Sequence, residues 1–473
     1  MKKIITLLFL VFYFDGKAQY TKLLDFGGTV SGANPYGDLI SDGTFLYGMT
    51  KGNGSAGSYG DIFKIMPNGS GYAEVLYFNA TNGSAPQGSL MYDGTYLYGM
   101  TSLGGVNGEG NIFKIKPDGT GYTLILSFNE TNGENPLGSL ISDGTFLYGM
   151  TSIGGTSTNC SSGCGTTFKI MSDGSGYVDL LNFNITNGSH PYAALVSDGT
   201  FLYGMTEVSA LNSLGNIFKL MPDGTGLTTL LNFSGIANGS HPYGSLMYDG
   251  TYLYGMTSLG GANGYGTIFK IKPDGTGDTI LFSFNDTNGS TPKGSLISDG
   301  TFLYGMTSTG GSSTICGTNG CGVLFKIKPD GTGYTILYNF SGTSSTDGAN
   351  PLGSLFYDGI SCLYGMTESG GNYGNGIVFS YCLNTVGIKL VAESSNNQVN
   401  IYPNPASTSF QVVWTGNNKQ ATMNMYDVNG RLVLSQTING RTSIDVGILN
   451  EGVYNISIIS NEGVVNKRLV IVR

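Results

Sequence analysis

The sequence predicts an all-β protein, with a seven-bladed β-propeller followed by a small C-terminal β-sandwich. Three observations lead to this fold class. A repeat of about fifty residues occurs seven times, each repeat holds four short apolar segments separated by Gly-rich turns, and the pattern stops near residue 382. The composition agrees, because 77 glycines and 11% charged residues in 473 are typical of many tight turns rather than of charged surface helices.

The first eighteen residues have the pattern of a signal peptide. Two lysines precede an apolar stretch at residues 4–14, and Gly-Lys-Ala at residues 16–18 supplies a small-x-small cleavage pattern. The stretch is shorter than the ~20 residues that cross a bilayer, and no later segment is long and apolar enough. We therefore predict that residues 1–18 are removed, that the mature chain begins at Gln19, and that it has no transmembrane segment. The alternative is an uncleaved N-terminal anchor.

The pentapeptide Leu-Tyr-Gly-Met-Thr marks the repeat in residues 19–382. Its steps are 51, 50, 55, 51, 50 and 60 residues. It begins at Leu46, Leu97, Leu147, Leu202, Leu253, Leu303 and Leu363. Asp-Gly turns follow the first and third segments of a repeat and accept the positive φ of tight hairpins, which predicts a four-stranded antiparallel meander. Such sheets bury both faces by stacking on neighbours, which favours a closed propeller over a parallel β-helix.

The ends of the array predict how the ring closes. The last repeat stops after its third strand, at residues 377–380, and lacks the Tyr-Thr-x-Leu segment that ends the others. The missing segment occurs before the first repeat, at residues 20–26. We therefore expect the N-terminal strand to complete the last blade.

Six cysteines are placed for three local disulfides, as an oxidising compartment allows. We expect these pairs to be Cys160 with Cys164, Cys316 with Cys321, and Cys362 with Cys382. Zinc is the alternative, but the close pairs lie far apart in sequence and have no histidine beside them. The sequence therefore predicts no metal at the cysteines.

Few residues suggest chemistry. A net charge of −9 with no basic cluster argues against nucleic acid or an anionic membrane as partner. The two histidines, His190 and His241, occupy equivalent loops and are expected to be solvated. The glycine-rich loop at 104–110 has no helix behind it to hold phosphate. The loops at 129–133 and 285–289 have alternating oxygen side chains, but Asx turns are favoured there over calcium. We expect no cofactor and no catalytic residue.

Variation between repeats suggests where recognition takes place. The loops after strands two and four open on one face of a propeller, and here they differ most, at residues 156–165, 207–215 and 312–322. Variable loops on a rigid scaffold commonly carry binding sites. If the protein binds a ligand, we expect the site on this face, near blades three to six.

The repeat resembles a known family. Gly-Ser-Leu-x-x-Asp-Gly, Leu-Tyr-Gly-Met-Thr, Gly-Gly, Phe-Lys-Ile and Asp-Gly recur in this order over residues 20–382. They are similar to the tandem repeat of GloVer-containing, choice-of-anchor proteins, which are bacterial surface proteins that join such an array to interchangeable C-terminal anchors. The resemblance implies export and a repeat array and brings no defined activity.

A linker at residues 383–397 leads to a different domain at 398–473, with alternating strands and Asn-Gly and Glu-Gly turns. Its motifs resemble the type A sorting domain of the type IX secretion system of Bacteroidetes, which implies contact with that machinery and release or attachment at the cell surface. An ordinary immunoglobulin-like module is the alternative. The residues that carry the resemblance include Pro403, Asn404, Pro405, Asp427, Gly430, Gly452 and Tyr454.

These observations predict a monomeric protein that is secreted or held at the outer surface. Its propeller is interpreted as a binding or adhesion module for a glycan or another envelope component, including a surface protein. A secreted hydrolase or lyase is the rival class and would need carboxylates converging at the propeller mouth, which few of the variable loops supply. A purely structural surface role is the third reading.

Overall fold

The computed structural model describes residues 19–27, 32–52, 59–209, 213–342, 347–383, 399–414, 420–427, 432–447, 449–460 and 463–472. The predicted signal peptide, residues 384–397 of the predicted linker and Gly430 lie outside these ranges. Among the described residues, helical structure is limited to a 3-10 turn at Gly317–Asn319. Gln19–Leu383 forms one compact unit, and the described C-terminal residues belong to a second.

The first unit contains seven four-stranded antiparallel sheets, here called blades 1 to 7, each ordered so that neighbouring strands pair. The strands of blades 1 to 3 are Ile40–Ser41, Leu46–Thr50, Asp61–Ile65 and Ala73–Tyr77; Met91–Tyr92, Leu97–Thr101, Asn111–Ile115 and Thr123–Ser127; and Ile141–Ser142, Phe146–Thr151, Thr166–Met171 and Val178–Asn182. Those of blades 4 to 6 are Val196–Ser197, Leu202–Thr206, Asn216–Leu220 and Thr228–Asn232; Met247–Tyr248, Leu253–Thr257, Thr267–Ile271 and Thr279–Ser283; and Ile297–Ser298, Leu303–Thr307, Val323–Ile327 and Thr335–Asn339. Blade 7 consists of Phe356–Tyr357, Cys362–Thr367, Ile377–Cys382 and Gln19–Asp25, and a short ladder beside it pairs Gly348–Ala349 with Ser369–Gly370.

The Asp-Gly turn fixes the first hairpin of a blade, as blade 2 shows. One oxygen of Asp93 accepts hydrogen bonds from the backbone N–H groups of Thr95 and Tyr96, both at 2.7 Å. The other oxygen accepts from the hydroxyl of Tyr98 at 2.9 Å. The same side chain therefore holds both the turn and the tyrosine of Leu-Tyr-Gly-Met-Thr, which ties the turn motif to the pentapeptide.

The pentapeptide forms the second strand, and all five of its residues are buried in blade 2. Its glycine is required by space, since a Cβ on Gly99 would lie 2.5 Å from the ring of Phe113 in the third strand. Its tyrosine and methionine pack between blades. In blade 1, Tyr47 and Met49 share a buried cluster with Leu97 and Phe113 of blade 2. Each sheet thus buries both faces against its neighbours, and the propeller prediction is confirmed.

The N-terminal strand completes blade 7, as predicted. Gln19–Asp25 pairs antiparallel with Ile377–Cys382. Tyr20 also stacks on Tyr338 of blade 6, with ring centroids 3.9 Å apart, and its hydroxyl donates to the buried Asp347 at 2.8 Å. The closing strand is therefore held by a backbone ladder on one side and a buried polar contact on the other.

Three disulfides are present, between Cys160 and Cys164, Cys316 and Cys321, and Cys362 and Cys382. The first two lie within single loops that join the second and third strands of blades 3 and 6. The third joins directly opposed residues of two strands in blade 7.

The C-terminal unit consists of two antiparallel sheets. One orders Val399–Tyr402, Ser409–Trp414 and Arg441–Asp445, and the other orders Leu432–Asn439, Gln420–Tyr426, Gly452–Ser460 and Gly463–Ile471. Phe410 and Trp414 of the first sheet share a buried core with Met423 and Ile456 of the second. This arrangement is the predicted β-sandwich.

The described sorting-motif residues hold this sandwich together. The Tyr402–Pro403 and Asn404–Pro405 peptide bonds are cis. The Asn404 side chain donates to the Arg468 carbonyl at 2.8 Å and accepts from the Val470 N–H at 2.9 Å. It therefore connects the first turn of the domain to its last strand.

The other described motif residues lie at or near the ends of strands. Tyr454 is buried, and its hydroxyl donates to the carbonyl of Asn450 at 2.8 Å. Gly452 begins a strand with φ of 150°, and Asp427 directly follows another. The motif thus marks positions where strands begin, end or are joined.

Candidate functional site

Seven equivalent tripeptides surround an axial cavity of about 280 Å³ in the propeller. Each has the pattern x-Gly-Ser or a variant of it and leads into the first strand of its blade. We call them the lining tripeptides. They are residues 36–38, 87–89, 137–139, 192–194, 243–245, 293–295 and 352–354.

Hydrogen bonds between neighbouring blades connect the third residues of these tripeptides. At five junctions the backbone N–H of the third residue donates to the side-chain oxygen of the third residue in the next blade. The donors are residues 38, 89, 194, 245 and 295, and the distances are 2.7–3.0 Å. The Ser354 N–H closes the circle onto the carboxyl of Asp38. Ala194 has no hydroxyl, so the bond from Ser139 to blade 4 is missing.

The second residue of each lining tripeptide lets the blades approach the axis closely. A Cβ on Gly88 would lie 2.0 Å from the carbonyl oxygen of Gly138, and five other junctions give 2.1–2.3 Å. Blade 4 departs from this rule because it carries Ala193 at this position. Backbone contact therefore fixes the width of the cavity at six of the seven junctions.

The first residue of each lining tripeptide differs between repeats that are otherwise nearly identical. We call these seven positions the rim. They are Tyr36, Gln87, Leu137, Tyr192, Tyr243, Lys293 and Leu352. The scaffold thus presents three aromatic, two polar and two aliphatic side chains to one cavity.

Blades 4 to 6 form one polar aromatic cluster on the rim. The rings of Tyr192 and Tyr243 stack with centroids 5.0 Å apart. The Tyr243 hydroxyl donates to Glu207 at 3.0 Å, and Tyr192 hydrogen-bonds the same carboxylate. The ammonium of Lys293 lies 5.5 Å from the centre of the Tyr243 ring. A carboxylate and a cation therefore flank the stacked pair.

A second cluster of the same composition joins blades 1 and 7. The Tyr36 hydroxyl donates to Glu368 at 3.1 Å, and the ammonium of Lys51 lies 4.8 Å from the centre of the Tyr36 ring. In a ring of seven, the first position lies across the axis from the fourth and fifth. The two clusters therefore face each other across the cavity.

The tyrosine hydroxyls of both clusters have raised pKa values. Burial, with the nearby Glu207 carboxylate, raises the pKa of Tyr243 to about 12, and burial with Glu368 does the same for Tyr36. The pKa of Tyr192 is raised for the same reasons. Burial also raises the pKa of Asp38 in the cavity wall. At neutral pH the tyrosines consequently remain hydroxyl donors.

The two histidines require a correction. They were expected to be solvated, but His190 and His241 are both half-buried, with φ of 55°. Their backbone N–H groups donate to the preceding blade, and Nδ1 of His241 is buried without a hydrogen-bond partner. The reason is position: each stands two residues before a rim tyrosine, where the chain turns inward.

A pair of carboxyl groups lies outside the cavity, between the loops of blades 2 and 3. Glu109 and Glu134 share a hydrogen bond, and partial burial with this contact raises the pKa of Glu134 to about 7. Sequence reasoning missed this pair and also the rim. The signals were Asn-Gly-Glu at 132–134 in place of Asn-Gly-Ser, and the variable residue before each Gly-Ser-Leu.

The predicted variable loops bear on the cavity unequally. Within 207–215, Glu207 reaches the rim tyrosines. The disulfide-bearing loops at 156–165 and 312–322 do not line the cavity. The blade 3 to 6 region therefore contains one rim cluster, while the cluster at Tyr36 lies outside the predicted sector.

The loops considered for calcium use their oxygens internally. In the first, the N–H groups of Asn129 and Asn132 each donate to the other's side-chain oxygen, at 2.9 and 3.0 Å. Asn285 and Asn288 repeat this arrangement. In the described part of the chain, no three His, Cys, Asp or Glu side chains are grouped to hold a metal ion. No helix within the described ranges is long and apolar enough to cross a membrane.

Comparison with known protein families shows which family the propeller repeats belong to. Residues 10–161 and 153–379 match the Gloeobacter/Verrucomicrobia repeat. The chain belongs to this repeat family. Residues 400–472 match the secretion system C-terminal sorting domain, which is the type IX sorting tail that the motifs predicted. The repeat protein is therefore secreted or located at the outer surface.

Solved structures similar to this repeat protein are distant in sequence. A periplasmic gluconolactonase from Pseudomonas aeruginosa is 15% identical, covering 67% of this chain and 86% of its own, with a TM-score of 0.45. A putative 6-phosphogluconolactonase from Bacteroides uniformis is 15% identical, covering 85% and 99%, with a TM-score of 0.43. A putative TolB from Agrobacterium tumefaciens is 13% identical, covering 67% and 95%, with a TM-score of 0.36. No curated protein matches the chain.

Proposed function

We propose that the propeller is a binding module that displays a recognition site on the face formed by the loops after strands two and four, for a glycan or another envelope component. The rim supports this proposal most directly. Six of the seven lining tripeptides keep glycine at the second position, whereas the first position, facing the cavity, takes four different residue types. A structural role would require no such variation around a cavity.

The sorting domain provides the context for binding. It directs the chain to the type IX secretion machinery, so the propeller meets ligands outside the cell. The repeats also close their own ring through the N-terminal strand, so no second copy is needed to complete the sheet. We propose that the protein acts as a monomer.

A screen of immobilised glycans and envelope extract tests the proposal. The oxidised full chain is compared with a variant in which residues 156–165 and 312–322 are each replaced by the shorter equivalent segment of blade 2, residues 106–110. We expect saturable binding by the full chain. Binding that disappears in the variant would place recognition on the outer loops, binding that persists would place it nearer the axis, and no binding to any surface would refute the module.

The Glu109–Glu134 pair gives specific support to hydrolysis as a second candidate function. Two carboxyl groups in contact, with the pKa of Glu134 raised to about 7, can supply a general acid or base near neutral pH. Hydrolysis of envelope glycans by the full chain, lost in both Glu109→Gln and Glu134→Gln, would support this candidate. Equal product formation by the wild type and both variants would exclude the pair from catalysis.

A further inference from the structure

Two clusters with the same three functional groups face each other across the axial cavity. Each combines a tyrosine, a carboxylate that accepts the tyrosine hydroxyl, and a lysine over the tyrosine ring. Each cluster draws its members from at least two blades, and Tyr36 and Glu368 are 332 residues apart. Packing between blades explains the stacked rings of Tyr192 and Tyr243. It does not require a carboxylate and a lysine in each cluster.

The charges of the clusters balance. Glu207 and Glu368 contribute two negative charges, and Lys51 and Lys293 contribute two positive charges. An anionic ligand would meet the carboxylates, and a cationic ligand would compete with lysines that already lie over the rings. The cavity wall itself holds one lysine, Lys293, and one carboxyl group, that of Asp38. The rim and the wall therefore match a ligand with no net charge.

The rim and its two clusters contain both hydrogen-bond donors and hydrogen-bond acceptors. Tyrosine hydroxyls and Gln87 can donate and accept, the lysines donate, and the carboxylates accept. An exposed aromatic face beside such groups offers both apolar contact and polar contact. Tyr243 covers one face of the half-buried Tyr192 ring, and Tyr192 itself lines the cavity. A sugar, which has apolar C–H faces and a periphery of hydroxyl groups, presents the matching surface.

The size of the cavity limits how a sugar chain can bind. Its volume of about 280 Å³ lies just below the ~300–1,000 Å³ usual for small-molecule pockets. It lies on the propeller axis and is enclosed by all seven lining tripeptides, so it admits a terminal unit rather than the middle of a long chain.

We infer that the two rim clusters bind the terminal unit of a neutral glycan, with Tyr192 as its stacking platform and the cavity-lining Gln87 and Lys293 as hydrogen-bonding partners. Glu207 and Glu368 orient the rim tyrosine hydroxyls toward this site. This inference rests on the proposed binding function and narrows it to one site and one ligand class.

The test uses isothermal titration of the oxidised full chain with methyl hexosides, methyl N-acetylhexosaminides and methyl uronides. Tyr192→Ala is expected to weaken binding of the preferred neutral glycoside at least tenfold, since it removes the platform. Glu207→Gln is expected to weaken it about tenfold. Tyr192→Phe keeps the ring and is expected to lose less than fivefold. The matched control is Tyr265→Ala, an aromatic residue 40% exposed in the blade 5 loop and outside the cavity, which should change affinity less than twofold.

The outcomes separate this inference from the proposed function. The inference is supported if the wild type binds neutral glycosides and the variants lose affinity by the expected factors. Melting temperatures must show that the variants are folded. If Tyr192→Ala does not fold, the ordering of Tyr192→Phe and Glu207→Gln decides in its place. Tighter binding of uronides than of neutral sugars overturns the ligand class. Glycan binding that the rim variants leave unchanged overturns the site while the binding module stands. Absence of binding to every glycoside, combined with binding of the full chain to envelope extract, overturns the inference alone.

Discussion

Ala194 interrupts the ring of hydrogen bonds around the axial cavity, and Ala194→Ser should repair it. The backbone at this junction matches the others. A Cβ on Gly138 would lie 2.2 Å from the carbonyl of Ala193 and 3.0 Å from the N–H nitrogen of Ala194, as at neighbouring junctions. A serine hydroxyl at 194 would therefore lie where it can accept from the N–H of Ser139.

One net hydrogen bond contributes about 0.5–1.5 kcal/mol to stability. The lower half of that range applies here, because four of the five serines at equivalent positions are half-buried at the cavity wall, and only Ser354 is buried. For a unit of this size the gain corresponds to a rise in melting temperature of about 1 °C, since unfolding entropy is ~2.1 cal/mol/K per residue. Denaturant titration, which resolves small free-energy differences through the midpoint, is the better assay.

Ser139→Ala is the matched opposite change. It removes the acceptor of the Ser89 N–H, which is bonded at 2.7 Å, and should cost about 1–3 kcal/mol. A midpoint that falls for Ser139→Ala and rises for Ala194→Ser, with the same denaturant slope, is the expected result. If Ala194→Ser lowers the midpoint, or if neither variant moves it, the hydrogen bonds between the lining tripeptides do not stabilise the contacts between blades.

Three further predictions concern packing, protonation and covalent closure. Gly88→Ala should lower stability by about 1–3 kcal/mol or more in a denaturant titration, because its Cβ would lie 2.0 Å from a backbone oxygen; unchanged stability would mean that the blades separate freely. The folded-state pKa of Glu134, raised to about 7 beside Glu109, means that folding takes up a proton between about pH 4.5 and 7. Stability should therefore fall as pH rises through this window, and Glu134→Gln should be more stable than the wild type at pH 8 but equal to it at pH 4; parallel pH profiles would contradict this. Replacing Cys362 and Cys382 by serine, which opens a loop with a separation of 20 residues, should cost about 3 kcal/mol, as measured by the same titration under oxidising conditions, with the reduced wild type as control.

Much of the fold was predictable because it depends on local chemistry. The Asp-Gly turns set the hairpin order through contacts over a few residues, such as Asp93 with Thr95 and Tyr98. The place of the N-terminal strand followed from a missing segment at residue 382 and its copy at residue 20. Repetition made these inferences secure, because the same short-range pattern recurs in every blade.

The rim was not predicted, although its variation is visible in the sequence. The outer loops differ in length and in cysteine content, whereas the rim differs in a single residue per repeat. Its partners also lie far away: Glu207 contacts Tyr243 over 36 residues, and Glu368 contacts Tyr36 over 332. Spacing alone does not show that these carboxylates contact tyrosines that line one cavity.

By itself, the sequence determined the repeat, the four-stranded unit, the point of ring closure and the sorting tail, since each depends on turn residues or motifs that are contiguous in the chain. Tertiary structure decided which side chains meet at the axis and the half-burial of His190 and His241. It also decided the contact between Glu109 and Glu134, which together with burial raises the pKa of Glu134. The physical reason is closure: when the blades form a ring, residues equivalent in sequence but remote along the chain converge on one axis, and their burial and charge then depend on neighbours that no local pattern specifies.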